Sequence, residues 1–163
     1  MKEETKELAE LAYKLAYDYD LEYGFCPQCV LAAIQDIKDD IPDDLIKSSQ
    51  TLSGGGGLMG IGSCGALQGG LLAIGFYHGR QRKDFGRKRN ILALELSSQL
   101  IKKFKEVYGD NISCFGIQKM MSGRSFNNWD PEDAKAFRES VCKKGCAELS
   151  GNVAKWTIEL LEK

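Results

Sequence analysis

Residues 52–79 read Leu52-Ser-Gly-Gly-Gly-Gly-Leu-Met-Gly-Ile-Gly-Ser-Cys-Gly-Ala-Leu-Gln-Gly-Gly-Leu-Leu-Ala-Ile-Gly-Phe-Tyr-His-Gly79, and this stretch decides the fold. The run Gly54 to Gly57 visits φ > 0 freely and cannot stay helical without a large entropic cost, so it forms a loop that exposes its backbone. From Cys64 onward the residues are small and apolar, with no proline until Pro131. The spacing predicts a buried helix over Cys64–His78. Gly65, Gly69 and Gly70 each cost that helix about 1 kcal/mol relative to alanine. Such a cost implies the close approach of another backbone or of a ligand. Ser63 or Cys64 stands at the helix N-terminus, where unpaired N–H groups and the helix dipole favour a negative group such as a thiolate.

The chain has 163 residues. That length predicts one domain over 1–163, which buries about two thirds of its unfolded surface. A net charge of −1 gives no bulk reason to expect nucleic acid or a membrane as partner. No apolar run reaches the ~18 residues a membrane span needs. Met1-Lys2-Glu3-Glu4 is acidic and polar, unlike a signal peptide, so a cytoplasmic location is expected. In that compartment six cysteines read as metal ligands or redox thiols rather than structural disulfides.

Working outward, Glu3 to Asp20 carries Leu8, Leu11, Ala12, Leu15, Ala16 and Tyr19 at helical spacing. Cys26-Pro27-Gln28-Cys29 opens a second helix, with Cys26 as cap and Pro27 in the first helical position. Its apolar face is Val30, Leu31, Ile34 and Ile37. A third, short helix starts at Pro42-Asp43-Asp44 and runs to about Leu52. After the central helix, Arg80, Arg82, Lys83, Arg87, Lys88 and Arg89 make a basic segment, opposed by Asp84. It reads as a solvated loop or as a patch for an anionic partner. Asn90 to Tyr108 is an amphipathic helix with Ile91, Leu94, Leu100, Ile101, Phe104 and Val107 inside. A short segment runs from Cys114 to Met121, and a polar loop from Gly123 to Trp129. Asp130-Pro131-Glu132-Asp133 is a capped helix start. The last helical region carries Cys142, Cys146, Val153, Trp156, Ile158 and Leu161, with a break expected near Ser150-Gly151. No segment shows sustained strand alternation. The expected architecture is all-α: a helical bundle of about six or seven helices, with a Gly-rich loop leading into a central buried helix.

The thiols carry the chemistry. Cys26-Pro27-Gln28-Cys29 has the spacing of dithiol oxidoreductases, whose first cysteine sits at a helix N-terminus and whose second can resolve a mixed disulfide. The same spacing is a common metal half-site, and the βαβ setting of those enzymes is not visible. Cys142 and Cys146 are i and i+4 on one helix, so both can face one site. Some of the six read equally well as small buried hydrophobes, Cys29 and Cys142 first among them. Gly60-Ile61-Gly62-Ser63-Cys64-Gly65 matches G-x-G-x-x-G, but no apolar strand precedes it and the dinucleotide-binding context fails. His78, the one histidine, reads as a helix C-terminal residue rather than a ligand. Met59, Phe76, Tyr77, Met120 and Met121 read as core.

Cys64-Gly65-Ala66-Leu67-Gln68-Gly69 behind a glycine loop resembles the centre of the C_GCAxxG_C_C family of redox-active proteins. Cys26 followed by Val30-Leu31-Ala32-Ala33 is similar to its first cysteine and helix. Cys114 is similar to the third cysteine and Cys146 to the fourth, a position for which Cys142 competes. The order Ser63-Cys64-Gly65-Ala66 departs from a literal Gly-Cys-Ala, and Cys29 and Cys142 are extra thiols. The resemblance implies a redox protein in which Cys26, Cys64, Cys114 and Cys146 converge. In one version these thiolates bind an iron–sulfur cluster, with Gly55, Gly56, Gly57 and Gly65 supplying N–H donors around it. In another, Cys26 and Cys64 are redox thiols in disulfide exchange without metal. A zinc-stabilised interaction module is the reading from a different class. The cluster is the version preferred, with an electron-transfer or thiol partner. Cys64, at its helix start, is expected to be the most acidic thiol or the most tightly ligated.

Overall fold

A helix poor in side-chain bulk forms the axis of the molecule because its neighbours press directly on its backbone. In the computed structural model, which describes residues 2–87 and 89–163, this helix is α4 (Gly65–His78). Met1 and Lys88, named above in the acidic N-terminus and the basic segment, lie outside the described residues. Against α4 pack α2 (Cys26–Lys38), α5 (Ile91–Tyr108) and α8 (Ala147–Leu161); α1 (Glu3–Glu22) packs on α8 and α2, α3 (Asp43–Ser49) on α2, and α6 (Cys114–Ser122) and α7 (Pro131–Phe137) on the stretch that precedes α8. The architecture is all-α. Among the described residues there are eight α-helices, not six or seven, and the extra one arises at the C-terminal end. There α7 follows the helix start expected at Asp130, and the last helical region consists of a π-helical stretch over Arg138–Cys146 and then α8. No described helix is long and apolar enough to cross a membrane.

Two sides of α4 are closely pressed, one by backbone of α2 and the other by side chains of α8 and α5. A Cβ at Gly69 would lie 2.8 Å from the Pro27 carbonyl oxygen and 3.0 Å from Val30 Cβ, both on α2. A Cβ at Gly70 would lie 2.7 Å from Thr157 Oγ1 and 2.8 Å from Leu100 Cδ2 and Val153 Cγ1, on α8 and α5. The glycines that are costly in an isolated helix thus let three helices close on a fourth. Ala66, Leu67, Ala73 and Ile74 of α4 join Val30, Leu31 and Ile34 of α2 and Leu149, Val153 and Ile158 of α8 in one core. Full burial of each Leu, Ile or Val there contributes about 1.5–3 kcal/mol.

Several expected faces differ from those observed. Helix α1 turns Ala9, Ala12 and Ala16 inward and leaves Leu11 exposed. Small residues suit that face because α8 lies close: a Cβ at Gly151 would sit 2.8 Å from the Tyr13 ring and 2.9 Å from its carbonyl oxygen. Gly151 is therefore a contact point inside α8, and the break expected near Ser150-Gly151 does not occur. Helix α5 buries Leu96, Leu100 and Phe104, whereas Ile91, Leu94 and Val107 face outward, Leu94 at 62% exposure. Met59, Phe76 and Met120 are likewise exposed rather than core. At the other end of α4 the basic segment is irregular, with a short 3-10 turn at Arg82–Asp84 and Arg80 over the Phe85 ring.

Candidate functional site

Three local devices bring cysteines toward one place. The first is the glycine loop. Gly54, Gly55, Gly56 and Gly57 all take positive φ, between 53° and 84°. The loop folds onto itself: Gly57 N–H donates to Thr51 O at 2.8 Å, Gly56 N–H to Leu52 O at 3.2 Å, and Gly62 N–H to Gly55 O at 2.9 Å. It then runs antiparallel to residues 112–115, with a bridge between Ser63 and Ser113. Cys64 N–H donates to Ile112 O at 2.8 Å, and Cys114 N–H to Gly62 O at 2.9 Å. This pairing aligns two helix starts, so Cys64 at the cap of α4 and Cys114 at the head of α6 become neighbours. Side chains would prevent it. A Cβ at Gly55 would meet Cys114 Cβ at 3.0 Å, and one at Gly60 would enter the Phe115 ring at 2.0 Å.

The four glycines expected near a cofactor therefore divide. The N–H groups of Gly56 and Gly57 are already bonded to Leu52 and Thr51, and nothing lies within 4 Å of where their Cβ atoms would be. Gly55 lies under Cys114, and Gly65 makes room for Pro27 Cδ, which would be 2.9 Å from its Cβ.

The second device is the α1–α2 junction. Gly24 and Phe25 are both left-handed, with φ of 68° and 58°. Phe25 rather than Cys26 is the cap, so Cys26 is the first helical residue and Pro27 the second. A non-glycine residue held at positive φ is strained, by about 1–3 kcal/mol. The third device is the π-helical stretch, closed where Ala147 N–H donates to Cys142 O five residues back. Such distortions occur often at functional sites. This one carries Cys142 and Cys146.

Cys26, Cys64, Cys114, Cys142 and Cys146 line a single cavity of about 210 Å³. All six cysteines are free thiols. Cys29 is apart from the rest: its thiol donates to Gly24 O at 2.8 Å and it lines a separate groove with Tyr19 and Ile46. Within the cavity, Cys146 lies near enough to Cys26 and Cys142 for each to shift its acidity. Gln118 Nε2 donates to Cys114 Sγ at 3.3 Å, and Gln118 Oε1 accepts from Phe126 N–H at 2.8 Å. Among the described residues, no group of three or more His, Cys, Asp or Glu side chains is arranged so as to hold a metal ion. The thiols share a cavity but, as placed, do not enclose an ion.

Burial governs their acidity. Cys64 is 6% exposed, and burial, reinforced by Cys26 and Cys114, pushes its thiol up. Backbone N–H groups at the start of α4 oppose this without reversing it. The expectation that Cys64 is the most acidic thiol fails because the helix dipole is a smaller effect than desolvation. Burial pushes the Cys114 thiol up to about 11. Cys146 lies well above the ordinary value because the neighbouring Cys142 and Cys26 thiols, and then burial, disfavour its thiolate. For Cys26 the bond from Cys146 favours the thiolate; burial, Asp20 and Cys142 outweigh it, and the thiol ends above its ordinary value.

These shifts carry a pH signature. The folded state keeps thiol protons that the unfolded chain releases above its ordinary value of 9.0, so stability is full below that pH and is lost as pH rises. Each deeply buried thiol contributes a slope of up to about 1.4 kcal/mol per pH unit. Urea unfolding in reductant should show the midpoint falling from pH 8 to pH 10, and falling less in Cys64→Ser. A flat profile would contradict burial as the cause.

Three residues of the site escaped the sequence reading: Asp20, Ser53 and Gln118, all buried and all on the cavity wall. Asp20 had a signal. It continues the buried stripe Ala9, Ala12, Ala16 of α1, where a carboxylate has no apolar reason to be.

A family model described as "Putative redox-active protein (C_GCAxxG_C_C)" matches residues 24–160. No curated protein and no solved structure matches the chain.

Proposed function

Because the chain belongs to the C_GCAxxG_C_C family, we propose that it acts by thiol–disulfide exchange through Cys26 and Cys146. The observation that supports this is that both thiols line one cavity, where each shifts the acidity of the other. Cys146 beside Cys26 favours the Cys26 thiolate, against the burial that opposes it. The Cys26 thiolate attacks one sulfur of a small disulfide, forming a mixed disulfide and releasing one thiolate. Cys146 then attacks the Cys26 sulfur, closes the Cys26–Cys146 disulfide and expels the second thiolate. Two electrons pass from the two protein thiols to the small disulfide. The two protons leave with the released thiols. The reverse sequence reduces the site. An electron-transfer or thiol partner would complete the cycle. Free thiols persist in a reducing compartment, so the cytoplasm is the proposed location.

A metal centre is the second reading, favoured by one observation: the cavity gathers five thiols where exchange needs two. Cys26, Cys64, Cys114 and Cys146 would be the ligand set, for an iron–sulfur cluster first and for zinc second. The two readings separate in one preparation. Anaerobically purified protein is analysed for iron, zinc and visible absorption, then oxidised with bis(2-hydroxyethyl) disulfide, blocked and mapped by peptide mass spectrometry. Exchange predicts no stoichiometric metal and a Cys26–Cys146 linkage, with Cys29 recovered as a free thiol. Stoichiometric iron with a visible band would favour the cluster, and a map in which Cys26 enters no disulfide would refute exchange.

A further inference from the structure

Two buried side-chain atoms among the described residues have no hydrogen-bond partner: Asp20 Oδ1 and Ser53 Oγ. Their residues are 4% and 3% exposed. Both belong to the wall of the cysteine cavity. The other Asp20 oxygen accepts from Ser150 Oγ, and apart from that only the weakly donating Cys26 thiol favours the carboxylate, so the second oxygen has no full hydrogen-bond partner. A buried polar atom without a partner costs about 1–3 kcal/mol, more when charged. Folds rarely keep such atoms without a use. Arg138 and Lys143 also line the cavity, yet Asp20 Oδ1 has no partner from them.

The geometry points to a small-ligand subsite here, in which Asp20 Oδ1 and Ser53 Oγ accept from the ammonium group of a small aminoalkyl disulfide lying against the cavity thiols. This deepens the exchange reading for the reaction; the binding itself does not depend on it. The donor class follows from the acceptors. A carboxylate and a hydroxyl oxygen are both satisfied by an ammonium, which carries three donors, and the bond to the carboxylate is charge-assisted. The charge also compensates a buried carboxylate whose ionisation burial opposes. The size class follows from the volume. About 210 Å³ lies below the ~300–1,000 Å³ of pockets for drug-sized ligands. Cys26, which makes the first attack, is half-buried and Cys146 is 8% exposed, so the volume of the cavity sets the size of what reaches the pair.

The test uses the reduced full chain and two pairs of probes. Hexane-1,6-diamine and hexane-1,6-diol have the length of cystamine and bis(2-hydroxyethyl) disulfide but cannot exchange. By titration calorimetry the diamine should bind at least about tenfold more tightly than the diol. Asp20→Asn should remove that preference, Ser53→Ala should weaken it, and Asp44→Asn, an exposed charge control, should keep it. In the kinetic arm, the advantage of cystamine over bis(2-hydroxyethyl) disulfide should shrink in Asp20→Asn by a similar factor. Equal binding of diamine and diol, no binding of either, or an unchanged preference in both Asp20→Asn and Ser53→Ala would overturn the subsite. If the diamine preference holds while neither disulfide oxidises the cavity thiols, the subsite stands and the exchange reading is the one that fails.

Discussion

Gly69→Leu should unfold at least about 3 kcal/mol more easily than the parent chain, a fall of about 6–12 °C in melting temperature for a chain of this size. The reason is what lies opposite. A Cβ alone at this position would be 2.8 Å from the Pro27 carbonyl oxygen and 3.1 Å from Pro27 Cα. Backbone at the second residue of α2 cannot swing aside as a side-chain end would. The full leucine must separate α4 from α2, and Cys26 stands one residue before the contact. Gly75, on the same helix, serves as the opposite control. It is exposed, and nothing lies within 4 Å of where its Cβ would be. Gly75→Ala should therefore stabilise by about 0.5–1 kcal/mol through better helix propensity. Thermal melts of the two variants side by side decide the matter. Equal effects of one sign would show that close packing at Gly69 is not what sets its cost.

Cys26→Ser should abolish oxidation of the cavity by small disulfides while leaving the fold standing. Ser is close in size, and the surroundings of Cys26, the Asp20 carboxyl and the Cys146 thiol, offer partners for a hydroxyl. The stability change should therefore stay within about 1–3 kcal/mol. Cys146→Ser should differ in an informative way. The first attack by Cys26 remains possible, so the mixed disulfide accumulates and is seen as an added mass of one half of the probe. Cys29→Ser should change neither result, because that thiol is bonded to Gly24 O in another groove. A Cys26→Ser protein that still consumes two thiols per disulfide at the parent rate would remove Cys26 from the exchange pair. Loss of bound iron in the same variant, with no mixed disulfide in Cys146→Ser, would move the weight to the metal reading.

The helices were legible where a local device marks them. Asp130 caps α7 through a bond from Asp133 N–H at 2.9 Å, as Asp-Pro-Glu-Asp implies. Asn90 and Gly109 bound α5 where periodicity and glycine placed its ends. Faces were less legible. In α1 the periodicity marks Ala12 and Ala16, which are buried, but it also marks Leu11, which is exposed, and omits Ala9, because the approach of α8 at Gly151 selects for small volume. The π-helical stretch had no signature, since a change from i→i+4 to i→i+5 bonding leaves composition untouched.

By itself the sequence determined an all-α chain with a glycine loop feeding a buried helix, the family, and six cysteines as the candidate reactive groups. These follow from local entropy, periodicity and motif, which are properties of short windows. Only the tertiary structure decided which thiols meet. Cys64 reaches Cys114 through backbone pairing of residues 60–64 with 112–115, and Cys26 reaches Cys146 because two left-handed residues turn α2 toward the π-helical stretch. The same junction sends Cys29 elsewhere although it lies three positions from Cys26. Acidity was decided there too. A helix start lowers a thiol's pKa from within its own turn, but desolvation comes from every element packed around it, and at Cys64 the surroundings win.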